Sequence, residues 1–528
     1  IFSNQSIGDR DQRALDGMLD TIVHRGPDSR KIRLEREHGV AMGHTRLIIN
    51  DHLTGEQPLQ SRDGRYHLTV NGEFYDFKRY RSLAMSEGHR YSTKSDSEIA
   101  LSLFSQYGLN FVEHLRGEFA FALYDRKKRE MILVRDRFGI RPLFYHCNGK
   151  SLVYGSEAMA VLAHPDTPTA LKPEAILHQM MQTMVPGMSA FEGIHSLEPG
   201  RILRVRRKNG KLEIKEQSYW DFEFPRMEER IKLPDQEVIE GVRHTLIESI
   251  IHRLQADVPV GCYLSGGIDS CCILGLATGA MQSPVKAYTI SFDHDSYDES
   301  AIALEMAKSM NADHEMIHLK ADDLYGQNYI DTVIHSERSF YNTLGVAKNL
   351  MSKRVWESGY RTVITGEGSD ELFGGYPAFK RDMFLYGLAH LPGEERRKME
   401  RQLQKSNKLF NGAIISDKVI EHPAFNSLCG FTPSWIQPWI ETLLEARPLL
   451  SPDLKQHLMD YDPIEAIAAK IDPKKVKGRH PLDQAQYTWS KTQLEGQILN
   501  WGGDRVDMAN SMESRPAFLD HHLAECAW

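Results

Sequence analysis

The sequence has no run of roughly 18 apolar residues, no CxxC pair, no internal repeat, no low-complexity tract and no excess of basic side chains. Lacking the first, it offers no helical membrane span. Lacking the second, its six cysteines (Cys147, Cys262, Cys271, Cys272, Cys429 and Cys526) suit neither a zinc knuckle nor a disulfide framework. They read as reduced thiols of a cytoplasmic protein. Lys and Arg number 64 against 72 Asp and Glu, a net charge of −8. The basic surplus of a nucleic-acid binder is therefore missing, and neither nucleic acid nor membrane is an expected partner. The chain starts at Ile1, and residues 1–25 hold no apolar signal core. What remains is ordinary globular usage: 528 residues, 41% apolar and 26% charged. At roughly 150 residues per domain that allows several cored domains.

Two textures follow one another. Residues 31–156 carry short β-type runs, among them Tyr66–Phe74, Glu118–Tyr124 and Met131–Val134, with helical pieces near 9–22 and 97–108. That predicts an α+β domain on antiparallel strands. A polar stretch over 206–234 predicts a linker, which sets domains at 1–205 and 235–528. Beyond it, Ile239, Val242, Leu246, Ile250 and Leu254 recur at helical spacing. Strand-like Val258–Leu264, Val285–Phe292, His314–Leu319 and Arg361–Thr365 then alternate with helical segments. This rhythm predicts a parallel, doubly wound sheet, whose ligands bind beyond the carboxyl ends of the strands. Residues 385–500 read as mostly helical.

The strongest motif is Ser265-Gly266-Gly267-Ile268-Asp269-Ser270, between a strand and a helix. Glycines let backbone N–H groups approach an anion, and the helix N-terminus adds positive potential. Asp269 is a natural Mg²⁺ ligand. The Lys and Ser/Thr of a Walker A loop are absent. Thr365-Gly366-Glu367-Gly368-Ser369-Asp370-Glu371 ends another strand with three carboxylates, suited to a cation and a base. In the first half, Arg46 offers a fork for a carboxylate and Glu73 and Asp96 offer partners for an ammonium. Asn71 and the Gly72 N–H could form an oxyanion hole. The set suits an α-amino acid with a reacting side-chain carbonyl. The HExxH of His314–His318 sits in a strand-like run, the wrong setting for a zinc peptidase. The sequon at Asn4 carries no weight without secretory features.

In order and spacing these motifs resemble the asparagine synthetase B family of glutamine-dependent amidotransferases. HRGPD (24–28), GHTRL (43–47), NGEFYDF (71–77) and RDRFGIRPLFY (135–145) resemble its glutaminase half. SGGIDS (265–270), GEGSDELFGGY (366–376) and the stretch from Gly503 through Asp520 resemble its synthetase half. The resemblance implies an N-terminal-nucleophile (αββα) glutaminase domain followed by an α/β ATP-pyrophosphatase domain. Ammonia from glutamine would pass through a tunnel to an acyl-adenylate, β-aspartyl-AMP in the first reading, giving asparagine, AMP and pyrophosphate. Arg46, Leu47, Ile48, Ile49, Asn50, Asn71, Gly72, Glu73 and Asp96 would bind glutamine. Leu264, Ser265, Gly266, Gly267, Asp269, Ser270, Ile290, Thr365 and Gly366 would bind ATP. Asp269 and Asp370 would hold Mg²⁺, and Glu367 would support the acyl-adenylate step. A homodimer is left open.

Three departures stand out. The nucleophilic cysteine that opens such chains is expected just upstream of Ile1. Ser339–Val346 differs from the aspartate-recognition segment, and an arginine expected near Thr343 is replaced. Arg505 stands about where some members carry a lysine that steadies adenylate and pyrophosphate. Two alternatives therefore accompany asparagine synthesis: an amidotransferase acting on another carboxylate in specialised biosynthesis, and a cyclase of the β-lactam synthetase type without glutaminase activity. A scaffold with a dead site is disfavoured by Asp269, Asp370 and Glu367.

Overall fold

The computed structural model describes the chain except residues 232, 282–283, 294–298, 390 and 410–418, and describes 406–409 by backbone alone. Twelve strands build the first half: β1 (Phe2–Ser3), β2 (Ser29–Glu35), β3 (Val40–Arg46), β4 (Leu59–Gln60), β5 (Tyr66–Tyr75), β6 (Arg116–Asp125), β7 (Glu130–Arg135), β8 (Phe144–Cys147), β9 (Ser151–Gly155), β10 (Ile194–Ser196), β11 (Arg201–Lys208) and β12 (Lys211–Ser218). They form two antiparallel sheets, ordered β10-β8-β9-β1-β3-β2 and β12-β11-β7-β6-β5-β4. Phe2, Val40 and Met42 of one sheet pack on Ala122, Met131, Leu133 and Val205 of the other. The helix Asp9–Asp20 covers the outer face of the first sheet and Ile99–Tyr107 that of the second. The layers run αββα.

The boundary expected at 205 falls inside β11. The β11–β12 hairpin extends the second sheet to Ser218. It reads as a polar linker because beyond Ile202, which packs under the helix layer, only the face toward the other sheet is buried: Leu203, Val205 and Leu212 point there, while Arg204 and Arg206 on the opposite face pair with Glu130 at 2.8 and 2.7 Å.

The second half holds a parallel five-stranded sheet of β13 (Val260–Tyr263), β14 (Lys286–Phe292), β15 (Asp313–Leu319), β16 (Thr362–Thr365) and β17 (Glu513–Pro516), ordered β15-β14-β13-β16-β17. Helices Ile268–Met281, Ser300–Ser309 and Leu344–Glu357 are its crossovers. His314–His318 lies within β15, a strand as the sequence suggested. Over 423–489 six helices pack beside the sheet. Ser490–Ile498 and Asn500–Asp504 then run as π-type turns, a geometry often found at functional sites. Among the described residues no helix is long and apolar enough to cross a membrane.

Candidate active sites

Two cavities hold nearly all the sequence-derived site residues. The first lies at β3 and β5 of the sandwich. It brings together Arg46, Leu47, Ile49, Asn50, Asn71, Gly72, Glu73 and Asp96. Ile48 is not in its lining; its backbone N–H donates to Asp28 Oδ2 at 2.8 Å. Gly72 sits at φ +126°, where a Cβ would fall 1.9 Å from the Glu118 carbonyl oxygen, so no other residue fits. Asn71 Nδ2 is buried without a hydrogen-bond partner, an open donor beside this gap. Asn50 Nδ2 donates to Glu73 Oε2 at 2.7 Å, and Arg515 Nη2 lies 3.4 Å from Glu73 Oε1. Burial, then the Asp96 charge, pushes the Glu73 carboxyl well above its usual range. Asp96 is raised by burial too, although Phe74 N–H donates to it at 2.8 Å. Two acids in one buried pocket await a cation. The Arg46 fork is half spent: Nη2 donates to the Asn50 and Asp51 carbonyls at 3.0 and 2.6 Å. Its Nη1 lacks a hydrogen-bond partner and lies 3.7 Å from Glu56 Oε1.

The second cavity, about 500 Å³, opens at the carboxyl ends of β13, β14 and β16. Leu264, Ser265, Asp269, Ser270, Ile290, Thr365, Gly366, Glu367 and Asp370 line it. Gly266 and Gly267 stand outside the lining and shape the loop. Gly266 takes φ +91° against the Glu299 backbone, and Gly267 N–H donates to Ser265 Oγ at 3.3 Å. Ser369 Oγ donates to Asp269 Oδ1 at 2.7 Å. Burial and the Asp269 charge push Asp370 up to about 6. This facing pair fits a divalent cation that also binds phosphate oxygens.

One side chain in this cavity escaped the sequence reading. Lys348 Nζ donates to Glu367 Oε1 at 2.6 Å and to the Gly502 carbonyl, and lies 3.5 Å from Asp507 Oδ2. Tyr263 OH donates to Asp507 Oδ1 at 3.0 Å. Burial lowers the Lys348 pKa, but Asp507 and Glu367 outweigh it and the net shift is upward. Burial holds Asp507 at about 6. The signal was there to read: Leu344, Lys348, Met351 and Val355 share one helical face, and Lys348 is its only charge.

Arg505, by contrast, is not in this cavity. The chain turn through Gly503 and Asp504 directs it toward the amidotransferase half. It donates to Glu337 Oε2 at 3.1 Å and to the His335 carbonyl at 2.7 Å, both in its own half, and lies 3.6 Å from Glu157 of the amidotransferase half. It lines a third cavity, between the two halves, with Phe144, Ala158, Met184, Arg338 and Leu499. Other motif arginines share this interface. Arg25 and Arg141 both reach Asp504, each at 2.8 Å, and Arg253 and Arg141 hold Glu118 at 2.9 and 3.1 Å.

A family model described as glutamine amidotransferase domain matches residues 1–220, and one described as asparagine synthase matches 241–528. The chain belongs to the asparagine synthase family. Members of the family use ATP, and this one is a glutamine-dependent, amide-forming ligase. A protein of Gibberella zeae described as "Amidase chry2" is 34% identical over 97% of this chain and 77% of its own length. "Amidase chyE" of Penicillium rubens is likewise 34% identical, over 97% of this chain and 77% of itself. "Asparagine synthetase [glutamine-hydrolyzing] 2" of Bacillus subtilis is 30% identical over 97% of this chain and 63% of itself.

Proposed function

We propose that this asparagine synthase family member activates a carboxylic acid with ATP and amidates it with ammonia from glutamine. The observation that carries the reading is the presence, in one chain with a buried interface, of an acid-lined pocket with an open amide donor and a phosphate-loop cavity with facing carboxylates.

In the first site Glu73 and Asp96 hold the glutamine ammonium, Arg46 Nη1 its carboxylate, and Asn71 Nδ2 with the Gly72 N–H the developing oxyanion. Ile1 is buried at the cavity behind Asn71. Nucleophilic attack on the amide carbon breaks its C–N bond and expels ammonia, and water then hydrolyses the acyl intermediate to glutamate.

In the second site, backbone and hydroxyl groups of 265–270 hold the triphosphate. Asp269 and Asp370 hold Mg²⁺, which when bound neutralises phosphate charge. The acceptor carboxylate oxygen attacks the α-phosphorus and pyrophosphate leaves. The ammonia lone pair attacks the acyl carbon, the C–O bond to AMP breaks, and Glu367 takes the surplus proton. Lys348 pairs with Glu367 at 2.6 Å and faces the negative charge on the adenylate. The interdomain cavity is lined by Phe144, Leu499 and Asn500, whose chain neighbours Leu143 and Ile498 line the cavity behind Asn71 and the adenylation cavity, an arrangement suited to ammonia passage. The intact glutamine pocket favours this over a cyclase.

The test is pyrophosphate and glutamate release with ATP, Mg²⁺, glutamine and a panel of acids headed by aspartate, repeated with ammonium. Amide ¹⁵N from glutamine appearing in the product is the expected result. Pyrophosphate release with no nitrogen transfer from either donor would sink the reading.

A further inference from the structure

We infer that the acceptor is a monocarboxylic acid with an apolar body, not aspartate or another dicarboxylate. The inference rests on the adenylation reading of the second cavity. A dicarboxylate brings one carboxylate to be consumed and another that stays charged. The second must meet a cation or several free donors, because an unpaired buried carboxylate is strongly disfavoured.

Among its described lining residues the cavity offers no free cation, and its open buried donors are two single neutral groups, Thr365 Oγ1 beside the phosphate loop and Trp501 Nε1. Lys348 is the one cation of that lining, against the four acids Asp269, Glu299, Glu367 and Asp370. Its ammonium is already engaged by Glu367, the Gly502 carbonyl and Asp507. Residues 294–298, outside the described set, contain neither Lys nor Arg. Arg338 faces the interdomain cavity, where it donates to the Thr183 carbonyl. The helix Leu344–Glu357 begins at the cavity, but Asn342 Oδ1 takes the Leu344 N–H at 3.0 Å. Mg²⁺ would offset Asp269 and Asp370, yet the phosphates take up its charge.

The wall away from the phosphate loop is apolar instead. Leu344, Met351, Ile498 and Trp501 form it, with Phe292 at the end of β14. A hydrocarbon or aromatic body buries favourably there. A single reacting carboxylate can then reach the space between Lys348 and the loop. Rejection of a second charge is how such a cavity separates acids of similar size.

The experiment is ATP–pyrophosphate exchange on the full-length enzyme with Mg²⁺, which reads adenylation alone and needs no glutamine. The panel sets aspartate, glutamate and succinate against aliphatic and arylalkanoic monocarboxylic acids and N-acetyl-leucine. The expected result is exchange with one or more monocarboxylates at a kcat/KM at least about 100-fold above that for aspartate. Exchange with aspartate equal to or above that of every monocarboxylate would overturn the inference while leaving the amide synthetase reading intact. Exchange with no acid of either class would overturn the adenylation reading and the inference with it.

Discussion

Lys348 and Asn71 are single residues whose removal should split the two half-reactions. Lys348→Met takes away the only lining cation of the described adenylation cavity and leaves Glu367 facing Asp507. Pyrophosphate release should fall about 10²–10³-fold with glutamine or ammonium, while glutamine hydrolysis stays near wild type. Lys348→Arg should recover part of the loss. A lysine with a merely structural role would lower both activities and the melting temperature together. Asn71→Ala should do the reverse. Glutamine-dependent synthesis drops about 10²–10³-fold, and ammonium-dependent synthesis is retained. The acids add a pH signature. Burial holds Asp370 and Asp507 at about 6 and Glu371 at about 7, all above the ordinary carboxylate range. A raised carboxylate pKa means the folded state binds the proton more tightly than the unfolded chain. The stabilisation is full below the ordinary value and is lost as pH rises through 6 to 7. These acids alone therefore disfavour the fold at pH 8 relative to pH 5, against the buried histidines His44, His67 and His164, whose lowered pKa values act in the opposite direction. In thermal unfolding of the ligand-free protein, Asp370→Asn should remove its share of the acids' effect, and Mg²⁺ with ATP should raise stability most at the higher pH.

At the scale of elements, the loops after β13 and β16 depend on backbone shapes that only glycine supplies cheaply. Gly368 takes φ +96°, and a Cβ there would lie 2.4 Å from Leu519 Cδ2. Gly368→Ala should cost at least about 1–3 kcal/mol in urea unfolding and shift Glu367, its neighbour, away from Lys348. A stability like wild type would mean Leu519 and the loop give way freely. These loops were legible in the sequence because glycine and acid clusters punctuate strand–helix junctions. The antiparallel strands of one half and the parallel sheet of the other were legible too, through short β-type runs and strand–helix alternation, while the αββα layering was implied only by the family resemblance. The β11–β12 hairpin was not. Its outward residues are Arg, Lys and Glu, and alternation with short apolar positions was swamped by charge. Lys348 was missed as well. Its place as the one charge on an apolar helical face hinted at a buried role, but its partners Glu367 and Asp507 reach it only through the fold.

Across the whole molecule, the arginine-rich motifs serve the contact between the two halves more than either chemistry. Their order in sequence fitted the family resemblance, but whether an arginine faces a ligand or a partner domain depends on distances across more than 300 residues, such as Arg141 to Asp504. Arg505 is the informative case. If it steadied the adenylate, Arg505→Met would abolish pyrophosphate release from ammonium as well as from glutamine. Its position between Glu337 and Glu157 gives a different outcome. Breaking a buried pair by deleting one partner costs about 3–5 kcal/mol, because the acids left behind are unpaired. Here that loss falls on the wall of the interdomain cavity. Ammonium-dependent synthesis should persist, while glutamate formed per pyrophosphate released should rise above one as ammonia escapes before reaching the second site. Measuring both products in the same reaction decides between the two. A ratio of one, with ammonium-dependent synthesis lost, would return Arg505 to the adenylation chemistry.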